Sequence, residues 1–300
     1  MKILVVGKNS QLGKELQNYS DNHTSNNKFI FLDSKSMNIC DEISIKNILF
    51  RYKPNIVINF SAYTNVEASE SNIDVCYETN AIGPMYLAKI CKEINSYLIH
   101  ISTDYVFGEN SKGPFSNISS TGPVNIYGKS KLEGENNVLK YNDKSIIIRT
   151  ASVFSSYNNN FVKNISKKIL LGETIKVIND QNISLTYAGD LSYFIFNLIN
   201  SHKFNNIIDN LLSKIIHYTN ENFTSWFEVA SYIAHDLKVY NKNKILPISS
   251  FDWESKVIRP IDSRLILDYD LFSLLNVKTY DWKNRVSKVL EQLNYKEENL

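Results

Sequence analysis

Short apolar runs alternate with longer segments of helical period through the first half of the chain. Runs rich in Val and Ile lie at 2–6, 28–32, 55–60, 97–101 and 145–149. Their nearly unbroken apolar character is what strands buried on both faces require. Between them, 11–19, 44–52, 74–95 and 124–141 are patterned as helices, with Leu87, Cys91 and Ile94 on one face of the third. This rhythm predicts an α/β fold, a doubly wound parallel sheet with helices on both faces.

After about residue 150 the pattern loosens, and 155–160, with three consecutive asparagines, reads as an exposed loop. Further on, 191–199 reads as a helix, 214–218 as a strand, 225–237 as a helix and 282–293 as a final amphipathic helix. The chain is therefore expected to leave the sheet and return to it. Residues 1–152 make a nucleotide-binding domain, with returns at about 186–202 and 212–240, while 153–185 and 241–300 make a smaller, interleaved substrate-binding domain.

Composition narrows the class. A chain of 300 residues, 43% hydrophobic, can bury a sizeable core. A formal charge of +2 supplies no field to draw in nucleic acid or an anionic membrane, so neither is an expected partner. The apolar runs fall far short of the roughly 18 residues of a membrane span. Only four apolar residues separate Lys2 from Gly7, too few for a secretory signal, so a cytoplasmic location is expected. Cys40, Cys76 and Cys91 are odd in number and without CxxC spacing, which predicts free, buried thiols rather than a disulfide framework or a zinc site.

Candidate chemistry begins directly after the first strand, at Gly7-Lys8-Asn9-Ser10-Gln11-Leu12-Gly13. The spacing is that of a GxxGxxG turn with Ser10 in the middle position. Between a strand and a helix, such a turn lets backbone approach a pyrophosphate at the helix N-terminus, as in Rossmann-type folds. Asp33, at the end of the second strand, is placed to accept hydrogen bonds from an adenosine ribose, which favours NAD, whereas Lys8 or Lys35 tolerates the added phosphate of NADP. NADPH and NADH both remain open.

Tyr127 and Lys131 stand four apart on an expected helix, an arrangement suited to proton transfer, with the ammonium drawing the phenol pKa toward neutrality. Spacing alone decides nothing. With 18 tyrosines, the chain holds a second such pair, Tyr240 and Lys244, about what chance supplies. Surroundings favour the first. Ser102-Thr103-Asp104 follows the fourth strand, at the carboxyl end where open α/β sheets bind ligands, and Thr103 can bond the carbonyl oxygen that Tyr127 protonates.

Taken in order, these turns and the segments Ser61 to Glu67 (SAYTNVE), Ser102 to Phe107 (STDYVF), Tyr127 to Glu135 (YGKSKLEGE), Ile178 to Gln181 (INDQ), Thr224 to Trp226 (TSW), Arg259-Pro260 and Ser263-Arg264-Leu265 resemble the dTDP-4-dehydrorhamnose reductase family of extended short-chain dehydrogenases/reductases. The resemblance runs nearly the whole length. It implies that Tyr127 is the proton donor, Lys131 its partner and a ligand of the nicotinamide ribose, and Thr103 the assisting hydroxyl. It also implies that Ser10, Gln11 and Leu12 form the phosphate turn and that Asp33, Asn38 and Ile39 lie on the adenosine side. Ala62, Tyr63 and Thr64 would run along the middle of the cofactor. Thr103 and Asp104 would touch the sugar, and Arg259 the nucleotide diphosphate. Family members often dimerise, so a homodimer is an expectation of the resemblance alone.

Two departures fall in the substrate half. Ser152 ends Arg149-Thr150-Ala151-Ser152 where many members have tryptophan, and Leu185 precedes Thr186 where proline is usual. Some members bind magnesium through a glutamate near the C-terminus, where this chain has Gln292 beside Glu291, and no metal is expected. The implied reaction is NAD(P)H-dependent reduction of the C4 keto group of dTDP-4-dehydro-6-deoxy-L-mannose to dTDP-L-rhamnose, a precursor for surface polysaccharide. Ser152 motivates an alternative, the same reduction on another nucleotide-linked 6-deoxyhexose. A non-catalytic nucleotide-binding subunit of the same fold is disfavoured because both Tyr127 and Lys131 are present. A sugar epimerase or dehydratase of the same superfamily is a third reading, of which dehydration is disfavoured because Thr103-Asp104-Tyr105 lacks the Asp-Glu usual there.

Overall fold

The structure, a computed structural model, describes residues 1–109, 112–211, 213–239, 245–255 and 257–295. Its strands are β1 (Lys2–Val6), β2 (Lys28–Leu32), β3 (Ile56–Asn59), β4 (Tyr97–Thr103), β5 (Ser145–Thr150), β6 (Val153–Phe154), β7 (Ile175–Ile178), β8 (Thr186–Tyr187), β9 (Ile215–His217) and β10 (Ile245–Ile248). Six of these make one sheet in the order β2-β1-β3-β4-β5-β9, parallel throughout. Because β1 stands between β2 and β3, the strand order reverses at β1. A crevice therefore opens beyond the carboxyl ends of these strands.

Strand periodicity divides the apolar side chains between two layers. Ile3, Val5, Ile56, Ile58, Ile99 and Ile148 face one side, against the helices Gln11–Asn22 and Ala188–Asn200. Leu4, Val6, Val57, Leu98 and Ile147 face the other, against Glu42–Tyr52, Gly83–Glu93 and Ile126–Tyr141. Burial on both faces explains the continuous apolar runs.

A second core forms beside the sheet around Phe154, Ile165, Val177, Ile233, Trp282 and Val286, with the small parallel pairs β7–β10 and β6–β8 at its margin. Two segments sit with the other core than the one expected for them. Helix Trp226–Asp236 packs into the second core, whereas Leu267, Leu271, Phe272 and Val277 join the sheet's.

The helix expected over 74–95 is interrupted. Ile73–Tyr77 is α-helical, Glu78–Ile82 widens into a π-turn, and Gly83–Glu93 resumes, with Pro84 at its start. Proline has no amide to donate to the preceding turn, and a one-turn π-bulge accommodates that loss. The asparagine run does form a loop, but Asn160 also caps an unanticipated helix, Phe161–Leu170, by accepting the Lys163 amide. Cys76 and Cys91 are buried and Cys40 is half-buried; all three are free. No helix of the described residues is long and apolar enough to cross a membrane. Tyr240 and Lys244 lie outside the described residues.

Candidate active site

The turn after β1 folds back tightly. Gly7 takes φ +90°, where a Cβ would meet the Phe60 carbonyl carbon at 2.8 Å, and a Cβ on Gly13 would meet the Gly7 oxygen at 2.3 Å. Ser10 caps helix Gln11–Asn22 by accepting the Gly13 amide at 3.0 Å. The remaining first-turn amides lack intrahelical partners, and with the helix dipole they suit an anionic group. Backbone close approach together with this helix start fits a dinucleotide pyrophosphate. Ser10, Gln11 and Leu12 line a cavity of about 530 Å³ that Thr103, Tyr127 and Lys131 also line. Ala62, Thr64 and Ser152 also line it.

The other expected residues stand back from this cavity. Gly7 and Gly13 shape the turn from behind. At the end of β2, Asp33 Oδ1 accepts from the Ser36 amide at 2.9 Å and from its hydroxyl at 2.8 Å. Those bonds, the hydroxyl's first, hold its carboxyl below the ordinary range. Asn38 Oδ1 takes the Cys40 amide, and Ile39 is buried in the helix-side core. The Tyr63 amide donates to Asn80 Oδ1 at 2.8 Å.

Helix Ile126–Tyr141 carries the expected pair. Its N-cap, Asn125, accepts the Gly128 amide at 2.8 Å. Lys131 is 2% exposed. Its Nζ donates to the Ile101 carbonyl at 2.7 Å and lies 3.4 Å from His100 Nε2. Burial brings the ammonium down to about 8, while the Glu135 carboxylate one turn on opposes that fall. Arg149 grips Glu135 through two bonds of 2.9 and 2.7 Å, deep in the interior.

Burial raises the phenol of Tyr127 above its ordinary value, against the pull of a hydrogen bond with Thr103. The expectation that Lys131 draws Tyr127 toward neutrality is thus not met in this arrangement. The lysine head group is turned to the Ile101 carbonyl, and desolvation of the phenol dominates. Thr103 Oγ1 donates to Asp104 Oδ1 at 3.0 Å and accepts the Tyr105 amide at 3.2 Å. Asp104 itself is fully buried behind Thr103, and burial pushes its carboxyl up to about 6.

Several neighbours of the pair escaped sequence reasoning. Asn59 and His100 are polar positions within apolar strands, and that interruption was the available signal. Ser102, Thr150, Asn158 and Asn159 also line the cavity. The buried Asn80 ties the Tyr63 backbone to Ser130, donating to the serine hydroxyl at 3.0 Å. Arg259 lies elsewhere, bonded to Glu67 at 2.6 Å and to the Ser255 hydroxyl at 2.8 Å. It lines a second cavity of about 350 Å³ with Gln181, Ser250 and Trp253.

Known proteins resemble the chain over nearly its whole length. The family described as RmlD substrate binding domain matches residues 1–295. The spore coat polysaccharide biosynthesis protein SpsK of Bacillus subtilis (strain 168) is 31% identical over 291 residues, covering 97% of each chain. A dTDP-4-dehydrorhamnose reductase of Aggregatibacter actinomycetemcomitans is 29% identical over 296 residues, 96% of this chain and 98% of its own. Among solved structures, a dTDP-4-dehydrorhamnose reductase from Clostridium acetobutylicum matches with a TM-score of 0.88 at 30% identity, over 98% of this chain and 100% of that one. Another, from Bacillus anthracis in complex with NADP, matches with a TM-score of 0.84 at 29% identity, over 97% and 99%.

Proposed function

The chain belongs to the RmlD substrate binding domain family, and from that premise we propose that it reduces the C4 keto group of dTDP-4-dehydro-6-deoxy-L-mannose with NAD(P)H, giving dTDP-L-rhamnose. The observation that carries this reading is the single cavity that joins the helix-start residues Ser10, Gln11 and Leu12 to Thr103, Tyr127 and Lys131. A reduced nicotinamide, when bound, supplies the hydride. The protein's own groups handle position and protons. The turn at Gly7 to Gly13 holds the pyrophosphate, and Asp33, beside Asn38 and Ile39, meets the adenosine side. Ala62 and Thr64 line the middle of the cofactor site, and Tyr63 between them is anchored through its backbone to Asn80.

Tyr127 gives its hydroxyl proton to the C4 oxygen of the sugar, and the Thr103 hydroxyl turns its proton from Asp104 to the same oxygen when the sugar is bound. The Lys131 ammonium stabilises the phenolate that remains. Arg259, beside Trp253 in the second cavity, takes the nucleotide diphosphate end.

Ser152 favours a second reading. It lines the cavity wall with φ 45°, a left-handed backbone, and is small where the family resemblance implies an indole. The preferred sugar would then be another nucleotide-linked 6-deoxy-4-ketohexose. Incubation with NADPH and a panel of dTDP- and UDP-4-ketosugars, with products identified by NMR, separates the two readings. Turnover confined to a sugar other than the dTDP compound overturns the first. Tyr127→Phe is expected to lose about 10²-fold or more in turnover with cofactor affinity little changed; a matching loss of both refutes the role given to the phenol.

A further inference from the structure

We infer that His100 is a positioning residue for Lys131, its tautomer fixed by Asn59 so that an imidazole N–H faces the lysine Nζ and favours the amine over the ammonium. The inference rests on the reading of Lys131 as the partner of Tyr127. Register brings the first two together, since Asn59 on β3 stands opposite His100 on β4.

Hydrogen-bond direction settles the tautomer. The Ser61 backbone amide can only donate, and it donates to Asn59 Oδ1 at 3.0 Å. The other end of the amide, Nδ2, is therefore the atom that meets His100 Nδ1, also at 3.0 Å. Nδ1 must be the acceptor. Burial keeps the imidazole well below its ordinary pKa, so the ring carries one proton. That proton sits on Nε2, which lies 3.4 Å from Lys131 Nζ.

A neutral amine suits this surrounding, with one N–H given to the Ile101 carbonyl at 2.7 Å and the lone pair turned to Nε2–H. An ammonium has three donors and no acceptor, so an N–H would confront an N–H. The other titratable and charged groups around Lys131 act differently. Glu135, on the same helix, favours the ammonium, tempered by its bidentate pairing with Arg149 of β5. Cys76, from Ile73–Tyr77, is kept a neutral thiol by burial, and Tyr127 is kept a neutral phenol for the same reason. His100 thus offsets Glu135, and the two set where Lys131 loses its proton.

Two measurements on the full-length protein test this. Isotope-labelled histidine reports which ring nitrogen carries the proton in each of the five histidines, with His100 assigned by its disappearance in His100→Gln. The expected proton is on Nε2 in the unaltered protein and on Nδ1 in Asn59→Asp, whose carboxylate only accepts. A proton on Nδ1 in the unaltered protein overturns the inference.

The second measurement is turnover against pH with NADPH and the 4-ketosugar. An imidazole or amide oxygen that accepts from Lys131 raises its pKa, so the alkaline limb should move upward by about one pH unit in Asn59→Asp. It should also move upward in His100→Gln, which adds no charge. An unmoved limb in variants shown to be folded by thermal melting also overturns the inference. Lys131→Met, assayed alongside, keeps the two questions apart. If it turns over like the unaltered protein, the role given to Lys131 itself fails. If it is inactive while the limb stays put in the other two variants, only the tuning by His100 fails.

Discussion

Asp104 is the residue where burial and site chemistry conflict most sharply. It is fully buried, Oδ1 takes the Thr103 hydroxyl, and the hydroxyls of Ser263 and Thr103 only partly offset the loss of water. Its carboxyl is raised from 3.8 to about 6, chiefly by desolvation. A carboxyl whose folded pKa lies above its unfolded one destabilises the fold when ionised. Two units correspond to about 3 kcal/mol. That penalty is absent below pH ~4, grows as pH rises toward 6, and is complete above it. Asp104→Asn should therefore melt at a higher temperature than the unaltered protein at pH 8 and show no such gain at pH 4. Equal differences at both values would mean that the carboxyl carries no charge-dependent strain. Tyr127, Lys131, Thr103 and Ser10 were legible in the sequence because each lies in a short local pattern at an element boundary. Asn59 and His100 were not, because what joins them is the register of two strands, which no local spacing reveals.

Elements position these residues through close backbone contacts rather than through propensity. Helix Ile126–Tyr141 contains two glycines that a helix alone would disfavour by up to about 1 kcal/mol each. Both lie where the helix touches backbone. A Cβ on Gly128 would meet the Tyr105 oxygen at 2.2 Å, and one on Gly134 the Asn80 oxygen at 2.0 Å. Alanine at 134 improves propensity but forces the helix away from the π-turn Glu78–Ile82, and overpacking of this kind costs about 1–3 kcal/mol. Gly134→Ala is thus expected to lower the melting temperature and, by moving Tyr127 and Lys131, to reduce turnover. A higher melting temperature would place the helix farther from Asn80 than the structure does. The strands of the main sheet and the long helices were readable from period alone. β6 and β8, each of two residues, are too short to carry a period, and the π-turn depends on a proline whose effect within a helical pattern is ambiguous.

At the scale of the whole molecule, the ion pairs Arg259–Glu67 and Arg285–Asp190 each bridge segments far apart in sequence, and their burial separates what each contributes. Arg259 and Glu67 are 21% and 48% exposed. Such a pair contributes at most about 1 kcal/mol, so Arg259→Ala should leave the melting temperature nearly unchanged. If Arg259 holds the nucleotide diphosphate, the same variant should raise KM for the nucleotide sugar far more than it lowers kcat. Asp190 and Arg285 differ. Their side chains are 8% and 15% exposed, and the 2.7 Å bond between them joins helix Ala188–Asn200 of the sheet core to Trp282–Gln292 of the second core. Asn220 donates to the same Asp190 oxygen at 2.7 Å, and burial nonetheless raises this carboxyl above its ordinary value. Sequence patterning gave no sign of this fastening, because its partners stand 95 positions apart. Removing the arginine leaves an uncompensated buried charge, which costs about 3–5 kcal/mol. Arg285→Met should therefore shift urea unfolding by that amount at pH 8. It should shift it less at pH 4, where Asp190 takes up a proton in the folded state more readily than in the unfolded chain. A loss independent of pH would show that Arg285 acts through its stacking on Tyr280, 3.6 Å from the ring centre, rather than through Asp190.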